Sequence, residues 1–408
     1  MLFHLSLFEM NSTSSLYIKL ISTLLTVMVI LVIFSSSTLA QTAPKYSNEF
    51  LAIGVGARGL AMSGTPVSFT DDVTAAYWNP AGLLRSQEQY ELSLMHVSYF
   101  GGIANYDYGG FSAAIDSTNR IAFSVIRFGI DDIPDTRFLI DENGNVDYNN
   151  VGSFAEASYA FMFSYARAMS LKIKEREATE EKEYRAEKKY PIYLGANAKV
   201  IHRSAGIFAT SWGFGIDVGV QTQIKNWQIG IMGRDITGTY NAYSFNSDAV
   251  RETFSRTGNE IPTNSLEVTL PRLTLGASYP WRTKDNQFGI MGSIGLETTF
   301  DGRRNTVIKS DFASVAPTFG VEADYKNIVY LRGGIGNFQQ VTDFDRSKSW
   351  TYQPNFGVGI VVKQFVIDYA ITNAFDQSVV PYSHVFSLRF LFNQQQINSL
   401  KASSKKGQ

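Results

Sequence analysis

The chain has 408 residues, a formal net charge of −1 at pH 7 and no cysteine. The missing cysteines exclude disulfide scaffolds, thiolate metal sites and cysteine nucleophiles, and the absence of a basic bias gives a nucleic-acid role no electrostatic support. Only 18% of the residues are charged, below the ~25% of an average soluble domain.

The N-terminus resembles an export signal. Residues 20–34 form an apolar run, and small residues ending in Thr38-Leu39-Ala40 follow it, which is typical of a secretory signal and its cleavage site. The sequence therefore predicts a cleaved signal peptide over residues 1–40 and a mature chain beginning at Gln41. An uncleaved membrane anchor is the alternative, but the strongly apolar core is shorter than a typical span.

The position of Met10 suggests a later start of translation. The nine residues before it contain Glu9 and neither Lys nor Arg, whereas a chain beginning at Met10 carries Lys19 as its only charge before the apolar run. A positively charged start is what a signal peptide requires. We therefore predict initiation at Met10, and mutation of that codon tests the prediction.

Residues 41–89 contain a segment, from Phe50 to Leu84, that is rich in Gly and Ala and fits neither a helix nor a strand. Pro80 keeps the preceding Asn79 out of the helical region, and Gly82 is free to adopt a positive φ. The backbone is therefore expected to fold back on itself more than once here.

The Asp71-Asp72 pair in this segment is open to two interpretations. Paired carboxylates can serve acid–base chemistry, but no histidine or nucleophile is spaced nearby. We therefore predict that the pair caps or hydrogen-bonds a turn. Arg58, if it lies in a lumen, needs a carboxylate partner, and these two residues are the nearest in sequence.

From Tyr90 onward the sequence alternates as β-strands do. In residues 212–221 large apolar side chains occupy one face and Gly, Asp or Gln the other, and residues 365–372 and 383–392 alternate in the same way. The mean hydropathy is −0.08, and no mature segment approaches the ~20 apolar residues of a membrane helix. The pattern therefore predicts a transmembrane β-barrel whose apolar face meets lipid and whose other face meets a lumen.

Fourteen strands are predicted between residues 90 and 392, an even number like that of bacterial outer-membrane barrels. Five short turns fall on one side by parity and the long connections fall on the other, which fits short periplasmic turns and longer extracellular loops. The predicted strands are 90–100, 106–116, 120–130, 153–170, 190–203, 212–224, 226–235, 270–281, 287–300, 317–326, 328–338, 354–363, 365–372 and 383–392. A polar C-terminal tail, 393–408, follows them.

Residues 171–189 depart from the rule of short periplasmic turns, since they form a long, charged stretch. Their helix-favouring composition and mixed charges suggest a solvated helical extension stabilised by Glu–Lys pairs. The functional alternative is a periplasmic docking surface.

No motif indicates an enzyme, so no catalytic residue, cofactor or metal site is predicted. His96, His202 and His384 lie far apart in sequence, within or at the ends of predicted strands, and are interpreted as side chains of the barrel rim or lumen. Residues 141–147 loosely resemble a calcium loop, but a plain Asn-Gly turn is favoured.

Both ends of the mature chain resemble the PorV/PorQ group of Bacteroidetes outer-membrane proteins, a group similar to the FadL-type long-chain fatty-acid transporters. The C-terminal likeness runs from Gly357 through Phe365 to Phe392. The N-terminal likeness covers residues 48–84 and is carried by Asn48-Glu49-Phe50-Leu51, Gly56-Ala57-Arg58-Gly59, Ala61-Met62, Asp71-Asp72 and Tyr77-Trp78-Asn79-Pro80-Ala81-Gly82.

The resemblance implies a fourteen-stranded barrel whose N-terminal segment, residues 41–89, enters the lumen as a hatch or plug. For PorV-like members it also implies a part in type IX protein secretion, in which the barrel binds the translocon and the C-terminal signal domains of cargo. The hatch motif would comprise Gly54, Gly56, Arg58, Gly59, Asp71, Asp72, Trp78, Asn79, Pro80, Ala81 and Gly82.

One departure leaves two functions open. Members nearest the secretion protein often have Lys after Asn-Pro-Ala, whereas this chain has Gly82, as the transporters do. The primary hypothesis is a non-enzymatic partner in type IX secretion, in the outer membrane. The alternative is an outer-membrane transporter for hydrophobic molecules such as fatty acids, with the ligand in the lumen and the hatch as its gate.

Overall fold

The computed structural model describes residues 48–141, 143–178, 183–258, 260, 265–342, 346–374 and 382–394. The predicted signal peptide, the start at Met10 and the tail from residue 395 lie outside these ranges. No helix in the described part of the chain is long and apolar enough to cross a membrane.

Fourteen antiparallel strands close into a barrel, because the first strand pairs with both the second and the last. This confirms the predicted fourteen-stranded antiparallel β-barrel. The barrel strands are β1 (Tyr90–Tyr99), β2 (Ala104–Ala114), β3 (Asn119–Asp135), β4 (Gly152–Ala178), β5 (Glu183–Ala205), β6 (Ala209–Ile224), β7 (Trp227–Arg234), β10 (Arg272–Arg282), β11 (Phe288–Thr299), β13 (Ser314–Tyr325), β14 (Val329–Thr342), β15 (Lys348–Val362), β16 (Phe365–Thr372) and β17 (Ser383–Phe392).

Three further strands lie where only long loops were predicted. The span 236–269 contains β8 (Thr239–Phe245), an α-helix (Ser247–Thr257) and β9 (Ser265–Thr269). β8 extends the sheet because it pairs with residues 209–214 of β6, and β9 pairs with β8. The two-residue β12 (Ile308–Lys309) pairs with β13. The period-two signal of β8 and β9 is too short to stand out from loop composition.

The exterior of the barrel is apolar, as the alternation predicted. On β6 the side chains of Trp212 and Phe214 are 58% and 52% exposed, whereas Asp217 and Gln221 on the other face are buried. Aromatic rings gather near the short turns, and those of Trp227 and Tyr279 lie 5.0 Å apart. An apolar band bordered by aromatic residues is the surface of a membrane-spanning barrel.

The five predicted short turns lie at one end of the barrel, here called the turn end. The long connections lie at the other, the loop end, together with two short ones at residues 100–103 and 206–208. Both central residues of the β13–β14 turn, Lys326 and Asn327, have φ of 54°, the geometry that matches the twist of a tight hairpin.

The prediction of a helix over residues 171–189 is wrong. β4 continues to Ala178, β5 begins at Glu183, and the two strands stay in one register from Lys172 opposite Lys189 to Ala178 opposite Glu183. Continuation of an existing ladder adds backbone hydrogen bonds without a new nucleus, so it overrides the helical propensity of Lys and Glu. The stretch is therefore a β-hairpin that extends past the turn end of the barrel.

Residues 48–85, here called the inner segment, lie inside the barrel. The segment folds into two short helices, α1 (Ala57–Ala61) and α2 (Ala75–Trp78), joined by 3-10 turns and bends. It contacts inward-facing residues of all fourteen barrel strands. The centre of the lumen is therefore filled by the chain's own N-terminal part.

A ring of inward-facing glycines receives the inner segment. A Cβ atom added at Gly195 would lie 2.2 Å from the backbone nitrogen of Ala81, and one added at Gly230 would lie 2.1 Å from the carbonyl oxygen of Val67. Only glycine allows a backbone to come this close to the wall. The glycine ring comprises Gly195, Gly219, Gly230, Gly276, Gly295, Gly320, Gly334 and Gly357, from eight strands.

Candidate functional site

Arg58 joins the inner segment to the barrel wall through two carboxylates. From α1 its guanidinium donates to both oxygens of Glu322 on β13 at 2.9 Å, and its Nη1 lies 2.8 Å from Asp71. Burial alone would lower the pKa of Arg58, but Glu322 and Asp71 outweigh that effect and hold the pKa above its ordinary value. The side chain is therefore a permanent cation with a fork geometry that matches a carboxylate.

The ion pairs continue along the wall. Arg332 on β14 contacts Glu322 and Asp368, both at 2.6 Å, and Arg389 on β17 contacts Asp72 of the inner segment at 2.9 Å. Alternating charges thus run from the inner segment across four strands. Since every charge is paired, the network avoids the cost of isolated buried ions.

Asp72 also fulfils the turn role predicted for the Asp pair. Its Oδ1 accepts a hydrogen bond from the Thr74 backbone N–H at 2.8 Å. Asp71, in contrast, turns to Arg58 and keeps a side-chain exposure of 43%. The structure thus brings Arg58 and Asp71 together as predicted and gives Asp72 a separate cationic partner.

Asn79 fastens the inner segment to the opposite wall. Its φ of −166° is extended, as the following proline predicts. Its Nδ2 donates to the carbonyl oxygens of Val67, Val220 and Ile231 at 3.0 to 3.3 Å. One amide therefore ties two parts of the inner segment to β6 and β7.

The glycines of the predicted motif have different physical roles. Gly54 and Gly56 have φ of 102° and 78°, a region that favours glycine. Gly59 leaves room for Trp78, whose indole would lie 2.7 Å from an added Cβ. The expectation for Gly82 is wrong: it does not adopt a positive φ, and it is needed because a Cβ there would lie 2.3 Å from the carbonyl oxygen of Thr70.

Pro80 and Ala81 press against the wall at the glycine ring, next to Gly195. Trp78 donates its indole N–H to the carbonyl oxygen of Val55 at 2.9 Å, and its ring meets that of Tyr77 edge to face at 4.8 Å. The predicted motif residues therefore lie together inside the barrel, as the packed core of the inner segment. That they act as a hatch stays a prediction.

Two polar clusters near the loop end escaped sequence reasoning. Lys199 lies 2.7 Å from Asp217 and 2.6 Å from Asp235, where the chain bends between β7 and β8. Arg304 contacts Glu49 of the inner segment at 3.0 Å, and Arg272 contacts the same carboxylate. Inward-facing Lys and Asp on alternating strands hint at such pairs, but the partners are up to 255 residues apart.

A cavity of about 400 Å³ lies between the inner segment and the loop end; we call it the vestibule. Ile53, Leu60 and Trp78 form its apolar floor, while the ends of the strands supply mainly hydroxyl, amide and charged groups to its walls. Its volume falls in the range of small-molecule sites. The deeper pockets beside the inner segment measure only about 10 to 20 Å³, so the vestibule ends at that segment.

Among the described residues, His96, His202 and His384 all point away from the lumen, and the Asn-Gly loop is exposed. The ring of His202 lies 4.3 Å from that of the outward-facing Trp212, its neighbour across the β5–β6 pair. His96 pairs with Asp107 at 2.7 Å, and His384 contacts the hydroxyl of Tyr369 at 2.6 Å; both face outward near the loop end. Gly144 has a φ of 84° within a hydrogen-bonded turn, as favoured for residues 141–147. Across the described ranges, no group of three or more His, Cys, Asp or Glu side chains is placed to hold a metal ion.

The fold and its contents define a membrane-spanning β-barrel whose lumen is occupied by its own N-terminal segment. No protein-family model and no curated protein sequence matches the chain. Solved structures of outer-membrane barrels do match, at low identity and with TM-scores below 0.5.

Three of these structures illustrate the likeness. The Pseudomonas putida toluene transporter TodX is 16% identical, over 83% of this chain and 98% of its own, with a TM-score of 0.46. The Ralstonia pickettii toluene transporter TbuX is 14% identical, over 83% and 99%, with a TM-score of 0.44. A FadL homologue from Pseudomonas aeruginosa is 10% identical, over 82% and 97%, with a TM-score of 0.45.

Proposed function

We propose that the protein is an outer-membrane transporter for small hydrophobic or amphipathic molecules and that residues 41–89 act as its hatch. The observation that carries this proposal is the vestibule of about 400 Å³, which ends on the apolar floor of the inner segment. In this orientation the loop end is extracellular and the turn end periplasmic. The hatch motif of Gly54 to Gly82 then closes the path between the two sides.

The way in which the inner segment is held supports a movable hatch. The segment is fastened by ion pairs of Arg58 and Asp72 and by the amide of Asn79. On the wall, Glu322 and Asp368 both keep Arg332 as a partner if the segment leaves. Displacement therefore leaves no isolated carboxylate among these wall residues, which keeps its electrostatic cost low.

A disulfide lock tests the hatch in a chain that has no cysteine of its own. The hydroxyl oxygens of Thr65 and Ser293 lie 2.8 Å apart, across the boundary between the inner segment and β11. We expect the double variant Thr65→Cys/Ser293→Cys to stop uptake of radiolabelled oleate or toluene when oxidised and to recover it on reduction. Full uptake by the oxidised double variant would contradict the hatch, and each single-cysteine variant serves as a control.

The second candidate is the role in type IX secretion, with binding of the translocon and of cargo C-terminal signal domains. Besides the sequence resemblance, the observation that favours it is the charged hairpin of residues 171–189, which extends past the turn end. The two strands of this hairpin run on beyond the residues at which β3 and β6 pair with them, and strand edges at the rim of a sheet are suited to pairing with a partner strand.

Affinity purification from the native membrane separates the two candidates. We expect a transporter to be recovered without translocon components and to show the same uptake when residues 172–189 are replaced by Asn-Gly. Co-purification of translocon or cargo that is lost on this replacement would favour the secretion role.

A further inference from the structure

The walls of the vestibule contain buried polar atoms whose hydrogen bonding is incomplete. Thr274 on β10 and Arg234 at the end of β7 are 6% and 9% exposed, and both line the vestibule. Within the described part of the chain, the Thr274 hydroxyl and the Arg234 Nε find no hydrogen-bond partner. Buried polar atoms are nearly always paired, so a turn of the Thr274 side chain toward the adjoining vestibule would let a molecule there supply the partner that its hydroxyl lacks.

Glu297 adds an acceptor beside these atoms. It lies directly across the sheet from Thr274 in the β10–β11 register, and its side chain is 36% exposed. Among the residues that the structure describes, the cation nearest to it is Arg272, at 4.0 Å. That distance is too long for a hydrogen bond. A carboxylate that borders a cavity without a close donor is ready to accept a hydrogen bond from a ligand.

The charges around the vestibule decide what kind of ligand fits. Two arginines lie near Glu297, namely Arg272, which Glu49 shares, and Arg234, whose charge Glu297 stabilises. A cationic head group would therefore meet these arginines, and an anionic one would meet Glu297. Arg234 is further committed, because its guanidinium stacks at 4.2 Å on the Tyr77 ring and donates to the carbonyl oxygens of Leu51 and Tyr77. The site therefore favours a neutral polar group.

The floor of the vestibule selects the rest of the ligand. Half-buried Ile53 and the small exposed parts of Leu60 and Trp78 make this floor apolar, and it offers van der Waals contact to the apolar body of a ligand. A pure hydrocarbon would cover this floor but leave Thr274 and Glu297 without partners, which costs binding free energy.

We propose that the vestibule binds uncharged amphipathic molecules, with an aromatic or alkyl body on Trp78 and a hydroxyl or amide group held by Thr274 and Glu297. This inference rests on the proposed transport function and narrows its substrate class. It assigns Thr274 and Glu297 as specificity-determining residues that discriminate between a hydrocarbon and its hydroxylated analogue.

Two brominated probes that differ by one hydroxyl group, 4-bromobenzyl alcohol and 4-bromotoluene, test the proposal. Bromine quenches tryptophan fluorescence at short range. Of the five tryptophans, Trp78 is buried, while Trp212, Trp227, Trp281 and Trp350 are at least 51% exposed. The experiment uses the full chain reconstituted in lipid nanodiscs. The difference in quenching between the wild type and Trp78→Phe reports on binding in the vestibule.

We expect the alcohol to bind the vestibule about tenfold more tightly than bromotoluene, as a hydrogen bond to a charged group implies. The double variant Thr274→Val/Glu297→Gln should bring the two affinities to within about twofold, whereas Glu267→Gln, a matched change outside the vestibule, should preserve the preference. Equal affinities in the wild type, or quenching unaffected by Trp78→Phe, would overturn the proposal.

Crystals of the wild-type protein soaked with 4-bromobenzyl alcohol give a test that needs no variant. We expect an anomalous bromine peak over Trp78, and a peak only at the lipid-facing surface would reject the site. If the alcohol does not bind in the vestibule but uptake is normal, this inference is wrong and the proposed transport function is unaffected. If the alcohol binds in the vestibule but there is no uptake, the binding site is supported and the proposed transport function is wrong.

Discussion

At the scale of single residues, the packing of the inner segment against the barrel wall depends on glycines, which have no Cβ atom. Gly195 faces the Ala81 backbone nitrogen, and neither backbone can move without disturbing the sheet or the segment. Gly292 on β11 is the opposite case, because a Cβ there would meet nothing within 4 Å. The same substitution at these two positions therefore isolates the effect of close approach.

We predict that Gly195→Ala lowers the stability of the folded barrel by about 1–3 kcal/mol, the usual cost of overpacking. The shift from the fast-migrating folded form to the unfolded form on a heated gel measures it. Gly292→Ala should melt like the wild type. An unchanged midpoint for Gly195→Ala would mean that the inner segment is not seated on the glycine ring.

The ion pairs predict an order of effects for two arginines that share Glu322. Arg332→Met leaves Asp368 without its 2.6 Å partner and should cost about 3–5 kcal/mol, as the breaking of a buried pair does. Arg58→Met leaves Glu322 still paired with Arg332, and Asp71 is partly solvated, so its cost should be smaller. Urea unfolding in lipid vesicles measures both, and the reverse order would contradict the assigned network.

At the scale of elements, each barrel strand has one side that contacts lipid and one side that contacts the contents of the lumen. Ile294 lies near the middle of β11 and Phe288 at its end, both outward-facing, with exposures of 38% and 53%. We predict that Ile294→Lys costs about 2–4 kcal/mol and Phe288→Lys at most about 1, since the cost of a charge rises with its depth in the bilayer. Equal costs by vesicle unfolding would argue against this placement of the apolar band.

The elements also differ in how far their sequence reveals them. The alternation in residues 212–221 is local and strong, so β6 could be predicted almost to its ends. The hairpin of residues 171–189 could not, because its Lys and Glu favour a helix, and the decisive factor is the ladder that β4 and β5 have already begun. The need for Gly82 is hidden in the sequence for a similar reason, since the contact that requires a glycine there lies twelve residues away at Thr70.

At the scale of the whole molecule, the filled lumen predicts a barrel that does not conduct ions. In planar bilayers the wild type should pass no steady current, because the deep pockets beside the inner segment hold only about 10 to 20 Å³. Asn79→Ala removes the amide that donates to three carbonyl oxygens and should produce intermittent openings. The control Asn143→Ala, in an exposed turn, should stay silent, and steady wild-type conductance would contradict a filled lumen.

The candidate site was predictable only in outline at this scale. Resemblance and composition place Arg58, Asp71 and Asn79 in one unusual segment, but sequence cannot show that Arg58 meets Glu322, 264 positions later. The vestibule depends on even more distant contributions, since its floor comes from the inner segment and its walls from strands across the whole chain. Such sites arise from closure of the barrel and have no local signature.

The position of the inner segment imposes an order on assembly. The segment precedes β1 in the chain and is surrounded by the fourteen barrel strands, while β1 and β17 join along nine residue pairs to complete the wall. If the barrel closed first, the segment would have to pass its backbone along the glycine ring to reach its seat, whereas a segment already in place needs no such passage. We therefore expect the β1–β17 seam to form around a segment that is already in place, so that residues 48–85 serve as the template on which the last step of membrane insertion is completed.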